Sequence, residues 1–256
     1  MTRRRRAMLV AMLVLSLGGA EAVGPGERRS GFDDMAPETR AMQLDDMANP
    51  GMLWVAEGEA AWRRPAGPAG RSCAGCHGEA EASMRGIATR HPGWDQAAAR
   101  PISLEDRINL CRRERQGGEP FAPESDDLLA LSAYVAHQSR GMPIALPDDP
   151  RLTPFREQGR HIFEQRRGQL NLSCAQCHEE HAGRRLAGSV IPQGHPTGYP
   201  IYRLEWQSLG SLRRRLRNCT VGVRSEPLDE QEAVALELFL MFRANGMPME
   251  SPAIRP

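Results

Sequence analysis

The feature that most constrains this chain is a six-residue pattern that occurs twice. Residues 72–77 read SCAGCH and residues 173–178 read SCAQCH, so each half of the chain holds one copy. In a Cys-x-x-Cys-His motif both thiols add to the vinyl groups of a haem, and the histidine binds the iron from one face. The chain is therefore predicted to carry two covalently bound haem c groups. The attachment residues are Cys73, Cys76 and His77 for the first haem and Cys174, Cys177 and His178 for the second.

Other sites also use paired cysteines. Structural zinc sites and disulfides contain Cys-x-x-Cys, so two such motifs are the alternative to haem. The histidine directly after each pair, present in both copies, favours haem attachment. The resulting interpretation is a dihaem c-type cytochrome.

The N-terminus predicts an exported protein. Arg3–Arg6 are basic, Ala7–Leu17 are apolar but too short to span a bilayer, and Ala20–Ala22 offer a cleavage site. We therefore expect a signal peptide over residues 1–22 and a bacterial periplasmic location. No later apolar run is long enough to cross a bilayer, so no membrane span is expected in the mature protein.

The charge balance gives no reason to expect a nucleic-acid partner. The whole chain has a formal net charge of +1, and removing residues 1–22 takes away four arginines and one glutamate. The mature chain is then slightly acidic. Every basic residue is an arginine, which is also the better planar ligand for oxyanions.

The two halves of the chain repeat each other. A glycine precedes the first motif cysteine by the same interval in both copies, an arginine precedes a later cysteine by one helical turn, and Gly-Met-Pro follows. The matching positions are Gly58 and Gly159, Arg107 and Arg215, Cys111 and Cys219, and residues 141–143 and 246–248. We predict one haem domain over residues 23–147 and a second, which carries the active site, over residues 148–256.

Both modules are predicted to be mainly α-helical and to resemble the class I cytochrome c fold. Ser103 and Asp106 have the spacing of a capping box, and Asp127 and Asp229 are candidate N-caps of apolar helices. Residues 179–207 show no periodicity and are expected to form a loop. The histidines outside the two motifs lack paired spacing and are expected at the surface or just behind the iron ligands.

The ligand on the far side of each iron has two candidate solutions. Four cysteines are used for haem attachment, which leaves Cys111 and Cys219 at equivalent positions of the two modules. Thiolate ligation of each iron explains why both copies retain one, and thiolate lowers the haem potential. The alternative is ligation by Met142 and Met247, with a disulfide between the two remaining cysteines.

Arg215 also has two interpretations. It lies one helical turn before Cys219, where a guanidinium would lower the thiolate pKa and bind an anionic substrate. It also belongs to the arginine run over residues 213–217, in which it would be one solvated charge among several.

One segment of the chain resembles a known family. The string from Arg215 to Pro227, RLRNCTVGVRSEP, together with two haem modules that each keep a cysteine, resembles the SoxA family. These proteins are the dihaem subunits of SoxAX cytochrome complexes in bacterial sulfur oxidation. The resemblance runs from about residue 30 to Pro256 and includes Arg243–Gly246, RANG.

The resemblance implies an enzyme, an L-cysteine S-thiosulfotransferase. With a monohaem SoxX-type partner, such an enzyme joins thiosulfate to a cysteine of the carrier SoxYZ and releases two electrons. Cys219 is then the second haem's distal ligand and a catalytic residue, often a persulfide, and Arg215 binds the substrate. Cys111 is the distal ligand of the first haem, which some family members lack. Arg224 and Arg243 are expected on the rim of the site.

Three other functions remain open at this stage. One is a dihaem electron-transfer cytochrome of the c4 type, in which both irons have histidine and methionine ligands. Another is a thiosulfate dehydrogenase, which forms tetrathionate and needs no carrier protein. A dihaem peroxidase is disfavoured because it would leave Cys111 and Cys219 without a role.

Overall fold

Each half of the chain is built on two long helices that cross next to a haem motif. The computed structural model describes residues 28–256, so the predicted signal peptide lies outside the described residues. We name the halves after the predicted domain boundary, the N-terminal module (28–147) and the C-terminal module (148–256). Helices provide most of the regular structure in both, as the sequence predicts.

The two modules share one order of main elements: a long helix, the haem motif, a β-hairpin, a shorter helix and a second long helix. The N-terminal module contains α1 (Pro37–Leu44), α2 (Gly51–Arg63), α3 (Cys73–His77), α4 (Ala80–Ser83), β1 (Gly93–Asp95), β2 (Arg100–Ile102), α5 (Leu104–Cys111) and α6 (Asp126–His137). The C-terminal module contains α7 (Thr153–Glu164), β3 (Arg185–Leu186), β4 (Ser189–Val190), β5 (Ile201–Arg203), β6 (Ser208–Gly210), α8 (Leu212–Gly222), α9 (Glu230–Arg243) and β7 (Ala253–Arg255). A π-helical turn, Gln176–Glu180, begins within the second motif and ends two residues after it.

The polar residues that start the helices lie mostly where the sequence predicts. Ser103 and Asp106 form the expected capping box at α5, and Asp229 forms a second one with Glu232 at α9. The prediction for Asp127 is wrong. Ser125 caps α6 instead, because its hydroxyl accepts the hydrogen bond of a first-turn N–H, and Asp127 lies one residue inside the helix.

The long helices of each module approach so closely that a side chain does not fit between them. A Cβ atom on Gly58 of α2 would lie 2.1 Å from the Ala130 carbonyl oxygen of α6. A Cβ atom on Gly159 of α7 would lie 2.0 Å from the Ala235 carbonyl oxygen of α9. The two glycines that occupy equivalent places before the motifs are therefore packing residues, and they fix the two crossings equally.

The two modules are joined by a short backbone ladder between their Gly-Met-Pro segments. The Ile144 N–H donates to the Met247 carbonyl oxygen at 2.8 Å, and the Met249 N–H donates to the Met142 carbonyl oxygen at 2.9 Å. The methionines Met241, Met247 and Met249 of the C-terminal module are buried in the same apolar cluster as Leu129. The modules thus share one core.

The C-terminal end of the chain completes a three-stranded sheet. β5 lies in the centre, antiparallel to β6 and parallel to β7. α1 packs on β7, where the Gln43 side-chain oxygen accepts the Ile254 N–H at 2.9 Å. Residues at both ends of the described chain therefore close one end of the C-terminal module.

Acidic side chains are buried where the modules meet. Glu237 of α9 and Glu105 of α5 line a small cavity with Arg213 of α8. The Ser132 hydroxyl donates to Glu105 at 2.9 Å, and Arg213 pairs with Asp106 at 2.5 Å. Burial, followed by the charge of Glu105, raises the pKa of Glu237 to about 8. Glu237 is therefore largely protonated at neutral pH.

The close helix crossing gives a first prediction. Gly159→Ala should lower the free energy of unfolding by about 1–3 kcal/mol, because the added methyl group must push α7 away from α9. Gly222→Ala is the matched control, since no described atom lies within 4 Å of a Cβ at that helical position. Urea unfolding of the haem-loaded protein measures both. Equal free energies of unfolding for Gly159→Ala and Gly222→Ala would show that α7 can move away from α9 at no cost.

The buried carboxyl gives a second prediction, on pH. Since the folded protein raises the pKa of Glu237 from 4.5 to about 8, its stabilising contribution is present below pH 4.5 and is lost as the pH rises through 8. We expect the melting temperature of Glu237→Gln to fall less than that of wild type between pH 5 and pH 8. The charges facing this carboxyl are those of Glu105, Asp106 and Arg213. Glu230→Gln, an exposed change on the same helix, should follow the wild-type curve.

Candidate active site

A cavity of about 370 Å³ lies beside the second Cys-x-x-Cys-His motif. Its apolar wall comes from α7, α8 and α9, and its polar lining contains a motif cysteine, two histidines and several arginines. The apolar residues are Phe163, Leu212, Leu216, Leu236 and Leu240. The polar residues that bear on function are Cys174, His178, His195, Tyr199, Arg203, Arg215 and Cys219.

His178 is held in the form that binds iron. Its Nδ1 atom lies 2.7 Å from the Pro192 carbonyl oxygen, which fixes the proton on Nδ1 and leaves Nε2 with a free lone pair. Burial lowers the pKa of His178, although the Pro192 contact opposes this shift. The imidazole therefore stays neutral at physiological pH.

α8 brings Arg215 and Cys219 to the same cavity. The Ser211 hydroxyl accepts the Arg214 N–H at 3.1 Å and starts the helix. From there Leu212 and Leu216 are buried, and the same face carries Cys219 one turn later. Cys219 is half-buried. Burial is the main cause of the raised pKa values of Cys174 and Cys177, and the charge of Cys219 is the next, so its sulfur lies beside the motif thiols.

The Arg215 guanidinium forms no hydrogen bond or ion pair within residues 28–256. It is half-buried, and its charge lowers the pKa of His178, so it lies close to the predicted iron ligand. Of the two interpretations given by the sequence, the solvated charge fits this position poorly. An unpaired guanidinium inside a cavity is suited to bind an anion.

The residues of this cavity fit a covalently attached haem. Cys174, Cys219 and the neutral His178 line the cavity together with an apolar wall of five side chains. Polar atoms in the lining also lack partners among the described residues, namely both ring nitrogens of His195 and the Nε of Arg203. No three His, Cys, Asp or Glu side chains of the described part meet as a metal-binding group, so the zinc alternative has no ligand set.

The methionine alternative gains no support at the second haem motif. Met247 is buried in the core that joins the modules and does not line the cavity. All six cysteines are free, and Cys111 and Cys219 each lie beside the motif thiols of their own module. The disulfide of the alternative is therefore absent. Iron ligation by the two cysteines stays a prediction.

The first motif has the same sulfur arrangement in a more open setting. The charge of Cys111 contributes to the raised pKa of Cys73, and that of Cys76 to the raised pKa of Cys111, in both cases after burial. His77 is exposed, with its ring 5.7 Å from the Trp62 ring. The sequence predicts that Cys73, Cys76, His77 and Cys111 belong to one site, and the structure places them side by side.

An insertion makes the second site more enclosed than the first. The segment from Cys174 to Ser211 is longer than the equivalent segment from Cys73 to Ser103. The longer segment supplies Pro192 against His178, and equivalent contacts to His77 are lacking within the described residues. The C-terminal module therefore has the more buried iron site.

Sequence reasoning missed several residues of the cavity. His195, Tyr199 and Arg203 belong to the segment predicted as a loop, which has no helix beyond the π-helical turn that ends at Glu180 but contains β3, β4 and β5. Arg243 was expected on the rim. It is instead mostly buried, paired with Glu179 at 3.0 Å and stacked 4.5 Å above the Phe163 ring.

Comparisons with known proteins agree on one relationship. Residues 57–144 and 158–249 match the model of the family described as SoxA/TsdA, cytochrome c domain. Each matched segment contains one haem motif, which confirms the predicted pair of cytochrome c-like domains. The chain is 38% identical to the L-cysteine S-thiosulfotransferase subunit SoxA of Pseudaminobacter salicylatoxidans, over 90% of this chain and 81% of that protein. Its identity to the SoxA of Rhodovulum sulfidophilum is 37%, over 90% of this chain and 80% of that one.

A solved structure has the same fold. The crystal structure of SoxXA from P. pantotrophus superposes with a TM-score of 0.86 at 33% identity. The match covers 90% of this chain and 87% of that chain.

The placement of the two sulfur residues gives a third prediction. Cys219→Ala should change the absorption and EPR spectra of the C-terminal haem, because the thiolate is lost from the iron. Met247→Leu should leave both spectra unchanged, since that side chain belongs to the core. A long-wavelength sulfur-to-iron band in the wild-type protein that disappears in Met247→Leu would contradict this assignment.

Proposed function

The chain belongs to the SoxA family, and from this premise we propose that it is the catalytic subunit of a thiosulfate-conjugating enzyme. The activity is that of an L-cysteine S-thiosulfotransferase, which joins thiosulfate to a cysteine sulfur. The chain carries covalently bound haem c, in agreement with its family. One observation supports the catalytic role most directly: Arg215, Cys219 and His178 line the same cavity.

Arg215 has the position and the charge to hold the substrate. Its guanidinium is unpaired among the described residues and lies one helical turn before Cys219. The planar fork of N–H donors matches the oxygens of a sulfonate group. Binding there points the outer, sulfane sulfur of thiosulfate towards the Cys219 sulfur.

Cys219 provides the sulfur on which the conjugation takes place. Its thiolate and the sulfane sulfur of thiosulfate form an S–S bond, and two electrons leave, one after the other. The thiolate of the carrier cysteine then attacks the sulfane sulfur. The bond to Cys219 breaks, the carrier retains the S–S–SO₃⁻ group, and Cys219 is again a thiolate.

The haem, when bound, supplies the nearby acceptor for these electrons. The protein keeps His178 neutral and oriented through Pro192, so its Nε2 remains available to the iron. An iron-bound thiolate would be a weak nucleophile, so Cys219 would react either after release from the iron or through the outer sulfur of a persulfide.

A carrier protein of the SoxYZ type can approach the site from the open side of α8. Cys219 is half-buried, but its neighbours Arg217 and Asn218 are exposed. Two apolar side chains nearby are also exposed, Val221 at 57% and Leu170 at 47%. Apolar groups with a cationic rim are suited to a carrier that presents a cysteine and negative charge.

The proposal includes a SoxX-type monohaem cytochrome as partner, as in the SoxXA complex. Two haems are proposed, one at each motif, and the electrons pass through the partner to a cytochrome c acceptor. The signal peptide expected in residues 1–22 supports a periplasmic location. Among the helices of residues 28–256, none combines the length and apolar character that crossing a bilayer needs.

The conjugation assay gives a fourth prediction. In the complex with the partner cytochrome, Cys219→Ala and Arg215→Ala should each lower thiosulfate conjugation to the carrier by at least about 10²-fold. Both haems should remain attached by intact mass, because the attachment cysteines are unchanged. Arg217→Ala, an exposed arginine on the same helix, is the matched control and should retain activity.

Two results would contradict the proposed function. Normal conjugation by both variants would remove the role of this cavity in the reaction. Rapid formation of tetrathionate from thiosulfate alone, with no carrier protein, would identify a thiosulfate dehydrogenase instead. The mass spectrum also tests Cys219, because a persulfide adds one sulfur atom to the wild-type chain but not to Cys219→Ala.

A further inference from the structure

Arg203, at the end of β5, brings a buried and only partly used guanidinium to the cavity. Its side chain is 14% exposed, and its Nη2 atom pairs with the Glu205 carboxylate at 2.7 Å. Its Nε atom is buried and has no hydrogen-bond partner in the described part of the chain. Because a buried donor without a partner is destabilising, this N–H requires an acceptor that the described residues do not supply.

The other arginine of the sheet at this end of the cavity is already paired. Arg255, next to Arg203, pairs with Glu250 at 2.6 Å. One carboxylate oxygen of Asp34 pairs with Arg29 at 3.4 Å, and the other has no partner in the described part of the chain. Burial lowers the pKa of Arg203, and the positive charge of Arg215 lowers it further. This end of the cavity therefore has an excess of positive charge, and an anion would balance it.

The position of Arg203 relative to the motif identifies that anion. Cys174 packs against the apolar cluster of α7, α8 and α9, whereas Arg203 lies on β5, which pairs with β6 and β7. The motif cysteine and Arg203 therefore line different walls of the cavity. In a porphyrin the vinyl groups and the propionates occupy opposite edges. A haem attached at the motif directs its propionates towards the end of the cavity where Arg203 lies.

We infer that the Arg203 guanidinium binds a propionate carboxylate of the C-terminal haem through its Nε atom. Glu205 holds the Nη2 side of the guanidinium, which leaves the buried Nε as the N–H without a partner. A carboxylate is the acceptor that the planar guanidinium matches best. Arg203 and Arg215 then have different ligands, since Arg215 lies next to Cys219 and is assigned to the sulfonate of thiosulfate.

This contact has a measurable effect on the iron. A positive charge beside the haem disfavours the ferric state and raises the reduction potential. In Arg203→Gln the ferric form of the C-terminal haem should become about tenfold more favoured, a shift of about 59 mV to lower potential for one electron. Arg203→Lys should restore most of the potential, because it keeps the charge.

The experiment is an EPR-monitored redox titration of the mature chain in complex with its partner cytochrome. The N-terminal haem serves as an internal reference and should keep its potential. Arg185→Gln is the matched control, because Arg185 lines the same cavity but is exposed and donates to the Gly188 carbonyl oxygen. Its C-terminal haem should titrate as in wild type.

Other outcomes overturn the inference. An unchanged potential of the C-terminal haem in Arg203→Gln shows that no propionate is bound there. An unchanged potential with a raised KM for thiosulfate assigns the guanidinium to the substrate instead. If Arg203→Gln fails to retain haem, a crystal structure of the haem-loaded wild-type protein decides, since a propionate oxygen must lie within hydrogen-bond distance of the Arg203 Nε. Propionates held entirely by other residues overturn the assignment, whatever the variants do.

Discussion

The rest of the structure depends on the backbone ladder between the two Gly-Met-Pro segments. Four hydrogen bonds join residues 141–144 to residues 246–249, and they fix the two modules against each other. The same contact buries Met247 in the shared core, and the Met142 carbonyl oxygen takes part in the ladder itself. The α5 and α8 cysteines lie beside the motif thiols of their own modules. In the proposed function, the α8 cysteine provides the sulfur chemistry that distinguishes the chain from an electron carrier.

The internal duplication explains why the two modules share one arrangement of elements. A longer segment after the second motif explains why their haem sites differ. The segment between motif and hairpin is longer in the C-terminal module, and it supplies Pro192 and His195 to the cavity beside the second motif. His77 has no such cover and is exposed. Because Coulomb interactions strengthen as water is excluded, the enclosed site is where charge can be used for chemistry.

Short-range patterns in the sequence were sufficient to find most of the site. The haem motifs, the capping box at Ser103, and the helical spacing of Leu216 and Cys219 each depend on residues within a few positions of one another. Arg203 could not be found this way. Its burial arises from a parallel pairing of β5 with β7, which comes at the very end of the chain and follows no local signal. The Asp127 cap failed for a simpler reason, since a serine two residues earlier offered the same hydrogen bond.

The charge of the cavity also bears on turnover. An unpaired guanidinium that is shielded from water is unfavourable in the free protein. An anion that enters the cavity is therefore stabilised both by its contacts and by the removal of this cost. Thiosulfate carries two negative charges, one of them largely on the sulfane sulfur. Once that sulfur is bonded to the carrier cysteine, only the sulfonate charge remains. In the proposed reaction, the attraction to Arg215 is therefore weaker for the conjugated product than for the substrate. The arginine proposed to capture thiosulfate thus also favours departure of the loaded carrier, because the two-electron oxidation removes the sulfane charge.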